Sequence, residues 1–362
     1  MVIFLTLFVP FISVIITAHN RREFLLDAVN SALNQTLPKD EYEIIVVKNF
    51  EDERIDKFLE EHNVKNIVTK EEPLGAKIIK GVEESRGEVI SFLEDDDLWL
   101  PQKLEIVKQV FKDKDVIYYH NKCRLFISTQ NSYNLRDLII YLRENNVKNS
   151  PLTLLKNFKC KVANTSVSSC NIYNNSSVSL RKQVLYNHTN QLKKVKLSVD
   201  MFLFYLAIII SGYMVFDNRV LTLLRLHNNN IFTSYLQIKK GFENWINDKV
   251  RKIITDLNDY KIILEVINNA EVKIEGNHLK PDIIIDKKLQ LSRLPVKVER
   301  EYKFTMKEFI DYFIKTKGLR NKLNLLLVFS PKPVKVYFAK RWYYSDLKRE
   351  DKVLSQLLIN KA

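Results

Sequence analysis

Between Phe11 and His120 the apolar positions of the chain alternate between two spacings. "ISVIITA" (12–18), "YEIIVVK" (42–48), "NIVTK" (66–70), "EVISFL" (88–93) and "DVIYYH" (115–120) are short, nearly continuous apolar runs and predict buried strands. The intervening segments carry helical spacing: "RREFLLDAVNSALNQT" (21–36), "DERIDKFLEEHN", "GAKIIKGVEESRG", closed by Gly87, and "LPQKLEIVKQVFKDK", with Pro101 near its first turn. Strands alternating with helices through short joints predict an α/β fold, a doubly wound and mostly parallel sheet of Rossmann type. Such sheets bind ligands at the carboxyl ends of their strands.

The rhythm breaks over residues 121–175, which are rich in Asn and Ser, with a helix expected at "NLRDLIIYLREN". It resumes with "NSSVSLRKQVL" as a strand-to-helix step, "SVDMFLFYLAIII" as a helix and "NRVLTLLRLH" as a strand ending in His227. Beyond residue 231 the sequence is glycine-poor, Lys-rich and helically patterned, which predicts a mainly helical basic region appended to a first domain of residues 1–230. Within that domain, about 11–120 and about 121–230 read as two halves.

Two apolar runs require a decision. "MVIFLTLFVPFISVIIT" lacks the basic start and small-residue cleavage site of a signal peptide, contains Pro10, and reads as a first strand with an apolar lead-in. Its length is also close to a minimal membrane span, so a membrane-inserted start is the alternative. "MFLFYLAIIISGYMVF" (201–216) is divided by Gly212 and reads as a buried helix followed by a strand. With 46% apolar and 28% charged residues the chain is of the folded, soluble kind. Cys123, Cys160 and Cys170 form no CxxC pair, which argues against a zinc site and fits a reducing compartment, although Cys160 and Cys170 are near enough in sequence to pair.

Charge changes the picture. The net +14 hides a split: residues 1–120 hold 15 Lys and Arg against 23 Asp and Glu, whereas the remainder holds 42 against 20. The acidic part contains "VISFLEDDDLWLP" (89–101), where Glu94, Asp95, Asp96 and Asp97 follow directly on an apolar strand. Adjacent carboxylates repel, and more so as they lose water. A divalent cation holding a phosphorylated ligand is the candidate that would offset that charge. The plain alternative is an acidic loop capping the next helix, for which one acid suffices.

"FISVIITAHNRREFLLDAVNSALNQTLPKDEYEIIVV" and "RGEVISFLEDDDLWLPQKLE" together resemble two segments of the family 2 glycosyltransferases of GT-A fold, closely over about 11–120 and more loosely over about 176–230. The resemblance implies transfer of a sugar from a UDP- or GDP-linked donor, assisted by Mn²⁺ or Mg²⁺, with about 11–120 as the nucleotide-binding half and about 121–230 as the acceptor half. It implies Asp96 as metal ligand, with Asp97 as the third acid of the motif. Glu94, which stands where the family usually has Asp, is implied near the ribose or a metal-bound water, with Asp95 beside it on the donor side. The turn Thr17, Ala18, His19, Asn20 and Arg21 is implied beneath the nucleotide, Ala18 and His19 presenting backbone to the base and Arg21 or Arg22 nearing the diphosphate; Asn20 is equally suited to capping the helix. Lys48 and Asn49 replace the two aspartates that usually meet the base, leaving Asn49 to hydrogen-bond there. In "PLGAKIIKG" Lys77 or Lys80 takes the place of an Arg-Asn pair as phosphate charge, or is simply solvated.

"LSVDMFLFYL" resembles the helix whose acidic start deprotonates the acceptor in inverting members; Val199 replaces the usual Glu, and Asp200 is implied as general base. Its alternative role is to cap the helix together with Ser198. "VLTLLRLHNNNIF" resembles a further segment that implies Arg225 near the diphosphate and His227, followed by Asn230, in the metal or phosphate shell. Ser177, in "NNSSVSLRK", is implied on the acceptor side. The acceptor is a glycan or lipid-linked hydroxyl.

The stretch 319–350 mixes Leu, Phe, Trp and Tyr with Lys and Arg, which suits an anionic membrane surface; a solvated basic face over ordinary core is the alternative. The expected location is the cytoplasm, free or peripheral at the inner face of the membrane. A nucleic-acid-binding protein on a degenerate scaffold of the same fold is the competing function, favoured by the basic half and opposed by the absence of any recognition motif.

Overall fold

The computed structural model of the chain describes residues 9–127, 153–155, 174–226, 241–270 and 282–359. Two compact units divide it: Met1–Arg225 with Glu265–Gly276, and Leu226–Leu264 with Asn277–Ala362. The expected boundary at 230/231, the helix expected at 134–145, and Cys160 and Cys170 lie outside the described residues.

The first unit runs β1 (Ile12–Ala18), α1 (Leu25–Leu33), β2 (Tyr42–Lys48), α2 (Glu53–Glu61), β3 (Lys65–Val68), α3 (Leu74–Glu83), β4 (Val89–Glu94), β5 (Leu98–Trp99), α4 (Lys103–Val110), β6 (Val116–Ile127), β7 (Thr153–Leu155), β8 (Val178–Arg181), α5 (Thr189–Leu192), α6 (Val199–Ile209) and β9 (Tyr213–Leu226). Among the described residues the nine strands form one sheet in the order β3-β2-β1-β4-β8-β6-β9-β5, with β7 paired to β9. Strands β1 to β4 pair in parallel. β8 runs against both β4 and β6, and the two reversals leave β6 pointing the same way as β4. The expected doubly wound, mostly parallel sheet is therefore present, with one opposed strand set into it and an antiparallel margin where β9 meets β5 and β7.

Sequence explains the order. Every residue of β1 is buried, as a central strand covered on both faces requires. β3, with Lys65 and Asn66 exposed, occupies the edge, where charge discourages further pairing. One side of β1 (Ile12, Val14, Ile16) packs on Leu25, Ala28, Val29 and Ala32 of α1 in the main core. α2 buries only Ile55 and Leu59, one helical turn apart, and the Asp52 carboxylate accepts from the Ile55 N–H to cap it. Gly212 ends the α6 side of the second apolar run at φ +148, and a β-carbon there would stand 2.6 Å from Ile117 Cγ2.

Two elements differ from expectation at their ends. The first helix begins at Leu25 rather than at 21, because the chain turns over the end of β1 through Asn20 at φ +54. The strand expected over 115–120 continues to Ile127, since Asn121 is paired inside the sheet with Thr222 and Lys103 despite its polarity.

The second unit carries most of α7 (Phe242–Asn268), then α8 (Asp282–Arg293), α9 (Met306–Lys315), α10 (Leu319–Leu326) and α11 (Lys332–Ile359), the mainly helical region expected. Trp245 and Ile246 pack with Ala339, Leu257 with Leu291 and Leu294, and Leu289 with Phe309, Leu325 and Val328. A capping box between Thr305 and Glu308 starts α9. Among the described residues no helix is long and apolar enough to cross a membrane.

Candidate active site

The winding of the chain reverses at β1: β2 and β3 lie to one side of it and β4 to the other, so the carboxyl ends of β1 and β4 flank a topological switch point. Thr17 of β1 is paired with Glu94 of β4, and Ala18 with Lys48 of β2. The four acids therefore emerge beside the turn 17–21. Asp95, Asp96 and Asp97 are all buried.

Two arginines supply the nearest positive charge. Arg21 forms ion pairs with Asp95 and, at 2.9 Å, with Asp96. Arg225 donates from Nε to the Asp96 carbonyl at 2.9 Å and from its backbone N–H to Asp97 at 3.2 Å, and pairs with Asp27 at 2.9 Å. Its guanidinium is sandwiched by the rings of Phe24 and Phe126 at 4.5 and 5.0 Å. This compensation is incomplete. Burial, followed by repulsion from Asp96, pushes Glu94 up to about 7. Burial outweighs Arg21 and lifts Asp95 to about 6. Asp97 stands well above its ordinary value, again through burial and then through Asp96 and Glu94. Glu94, Asp96 and Asp97 each offer a carboxylate oxygen, and these atoms lie within 4.8 Å of one another. An all-oxygen, anionic and partly dehydrated donor set of this kind fits a hard divalent cation.

A second group of residues fixes the acids from behind. Asn174, at φ +98, accepts from the Ser176 N–H at 2.9 Å and opens a tight turn over Asn175–Ser177. From this turn Asn175 donates to Glu94 Oε1 at 2.9 Å, and Ser176 Oγ donates to Asp97 Oδ2 at 2.6 Å while accepting from the Glu94 N–H at 3.0 Å. The Ser176 carbonyl accepts from Trp99 Nε1 and from the buried Lys103 Nζ, both at 2.7 Å. Burial holds Lys103 well below its ordinary value. Asp200, in the first turn of α6, accepts from the Asn174 N–H at 2.7 Å and from the Met201 N–H at 2.8 Å. It is buried, and its charge adds to the upward push on Glu94. One turn of chain thus links Asp200 to the acid cluster. Sequence reasoning singled out Ser177 here, whose hydroxyl accepts from Asn174 Nδ2 at 3.3 Å, and missed Asn174, Asn175, Ser176 and Lys103. The usable signal was the pair Asn174-Asn175 before Ser, a composition suited to a left-handed turn.

On the other side of β1, Asn20 and Asn49 bond reciprocally: the Asn20 N–H donates to Asn49 Oδ1 at 2.8 Å, and Asn49 Nδ2 donates to Asn20 Oδ1 at 2.9 Å. Lys48 turns away, fully buried, to the Phe50 carbonyl and Asp56, each at 2.7 Å. Lys77 is buried at the start of α3, with Nζ 2.9 Å from His19 Nδ1 and 3.1 Å from the Glu72 carbonyl; burial lowers the pKa of both Lys77 and His19. Lys80 is exposed, and Arg22 lies over Phe50 with its Nε 3.3 Å from Asp52. His227 and Asn230 lie outside the described residues.

The chain is similar to known proteins over part of its length. The family model described as Glycosyl transferase family 2 matches residues 13–179. An uncharacterized glycosyltransferase of Nostoc sp. is 33% identical over 116 residues, which are 29% of this chain and 34% of that protein. Glycosyltransferase AglE of Haloferax volcanii is 32% identical over 93 residues, 24% of this chain and 31% of the relative. The chain thus spans about a third of the length of these relatives. Among solved structures, that of S. aureus TarS 1-349 aligns over 95% of this chain and 91% of that one, with a TM-score of 0.49 and 13% identity.

Proposed function

We propose that residues 13–179, which the model described as Glycosyl transferase family 2 matches, form a domain of that family, and that the chain moves a sugar from a UDP- or GDP-linked donor to an acceptor hydroxyl with inversion at the anomeric carbon. The observation that carries this reading is the trio Glu94, Asp96 and Asp97, with ligand oxygens within 4.8 Å at a sheet switch point. Mn²⁺ or Mg²⁺ is the cation these residues would hold, and when bound it supplies positive charge against the departing diphosphate.

The remaining work belongs to the chain. Arg225, already placed between Asp96, Asp97 and Asp27, draws charge toward the diphosphate side. Arg21 keeps Asp95 and Asp96 in position. The Asn20–Asn49 clasp and the Thr17–Ala18 backbone form the floor for the nucleotide, with Lys77 and His19 at its margin. Asp200 takes the proton from the acceptor hydroxyl as that oxygen bonds to the anomeric carbon. The bond from that carbon to the diphosphate oxygen breaks, and its electron pair leaves with the nucleoside diphosphate. Two backbone N–H groups, those of Asn174 and Met201, fix the Asp200 carboxylate. The acceptor belongs to a glycan or to a lipid-linked glycan.

Purified protein is expected to turn over a UDP- or GDP-sugar in the presence of Mn²⁺ or Mg²⁺, and nuclear magnetic resonance of the product is expected to show the inverted anomer. Asp96→Asn and Asp200→Asn are each expected to lower kcat by at least about a hundredfold, the scale of a lost charge-stabilising or proton-accepting group. Full activity in both variants, or retention of configuration, overturns the reading.

A further inference from the structure

The second unit has a surface that sugar transfer does not use. Between Asp311 and Asp346 the sequence contains no Asp or Glu and eight Lys or Arg. Within that stretch α10 presents Leu319, Leu323 and Leu326, spaced four and then three residues apart and therefore on one helical face, at 75%, 55% and 45% exposure. This row is not the helix's packing face. Leu325, only 2% exposed, serves that purpose in the cluster with Leu289 and Phe309. Leu319 and Leu323 border an open groove of about 520 Å³, lined with them by Asn324, Leu327 and Phe338. Val334 and Tyr337, one turn apart at the start of α11, are exposed as well.

Cations surround these apolar side chains. Lys317 and Lys332 are exposed just outside the two ends of the α10 segment, and Lys322 lies over the Phe313 ring at 5.1 Å, which leaves its stem along apolar surface. Soluble surfaces seldom leave three large aliphatic side chains in a contiguous row, and such a row marks a place where something docks. The two features restrict the partner. A nucleic acid would satisfy the ammonium groups and leave the leucines in water. An apolar protein groove would cover the leucines and strand the unpaired positive charge. An anionic bilayer takes both at once: headgroup phosphates receive Lys and Arg, while short aliphatic side chains enter the acyl boundary.

We infer that the face built from α10 and the first turns of α11 docks in the plane of a membrane containing anionic lipid. This does not depend on the chemistry assigned to the first unit, and it is tested without nucleotide, sugar or divalent cation. The full chain is mixed with sedimentable vesicles of phosphatidylcholine alone, or of phosphatidylcholine with about a third phosphatidylglycerol, at physiological ionic strength. The wild type is expected to pellet with the anionic vesicles only. Leu319→Ser with Leu323→Ser, which leaves the charge unchanged, and separately Lys322→Glu with Lys332→Glu, are each expected to reduce the bound fraction by more than about tenfold. All four positions are exposed or half-buried, and an unchanged melting temperature shows that the fold survives. Loss in the leucine variant distinguishes insertion from simple counter-charge, because a purely electrostatic film would respond to the lysine pair alone. A wild type that stays in the supernatant, a leucine variant that binds like wild type, or a dimer in light scattering that the leucine pair dissolves, overturns the inference.

Discussion

Glu43 concentrates several bonds on one carboxylate. Ser13 Oγ and the Arg86 N–H both donate to its Oε1 at 2.6 Å, and Arg86 Nε donates to Oε2 at 2.9 Å. The Gly87 N–H then donates to Ser13 Oγ at 2.8 Å, so β1, β2 and the approach to β4 are tied at one point. Burial alone would raise the pKa of this carboxyl, but Ser13 and Arg86 prevail and hold it below 4.5. A depressed folded-state pKa gives stability that is present above the unfolded value and is lost as pH falls through the folded one. Glu43→Gln is therefore expected to cost about 1–2 kcal/mol at neutral pH and to lose less than wild type on acidification below 4.5. Urea unfolding at neutral and acidic pH tests this, and parallel losses in the two proteins would contradict it. At this scale the sequence was informative wherever a side chain carries charge in an unusual place. Glu94 to Asp97 and Asp200 stood out because four acids after an apolar strand, or one acid before an apolar helix, need a reason, and the structure brings Arg225 against Asp96 and Asp97. Ser176 and Asn175 were not, because their role comes from a backbone turn formed against acids some eighty residues earlier in the chain. Lys48 stands where the family usually has an aspartate, and its side chain folds back onto Asp56, a choice set by tertiary contact.

Elements are positioned by a few close approaches. Gly75, at the start of α3, donates its N–H to the Val195 carbonyl at 3.0 Å, and a β-carbon there would land 1.9 Å from the Leu192 carbonyl oxygen. Gly75→Ala must therefore push α3 away from the segment after α5, and with it Lys77 and its contact to His19. The expected cost is about 1–3 kcal/mol or more, read as a lower melting temperature together with a raised KM for the nucleotide-sugar. A variant as stable as wild type would show that the two segments are not held this closely. The elements themselves were visible in the spacing of apolar residues, since β1, β2 and β4 are almost wholly buried and α2 buries only one stripe. The direction of β8 was not visible. "VSLR" is as suitable for a parallel as for an antiparallel neighbour, and only pairing with both β4 and β6 fixes it.

Across the whole molecule, charge and chemistry are divided. The acidic first 120 residues hold the carboxylates and the basic remainder holds the lysine-rich helices. The resemblance of the first 120 residues was legible because the segments that carry it follow in order along the chain and form neighbouring strands β2, β1 and β4, whereas the packing of α8 to α11 depends on contacts that periodicity does not specify. The proposed transfer depends on a divalent cation that Glu94, Asp96 and Asp97 would hold, and manganese binding followed by electron paramagnetic resonance tests this most directly. Wild-type protein is expected to remove the signal of free Mn²⁺, and more tightly with UDP or GDP present. Asp96→Asn and Asp97→Asn are each expected to weaken that uptake by more than about tenfold, the usual effect of disturbing a ligand set. Uptake that is equal in the variants, or a free-ion signal undiminished by wild type even with nucleoside diphosphate, would contradict the account.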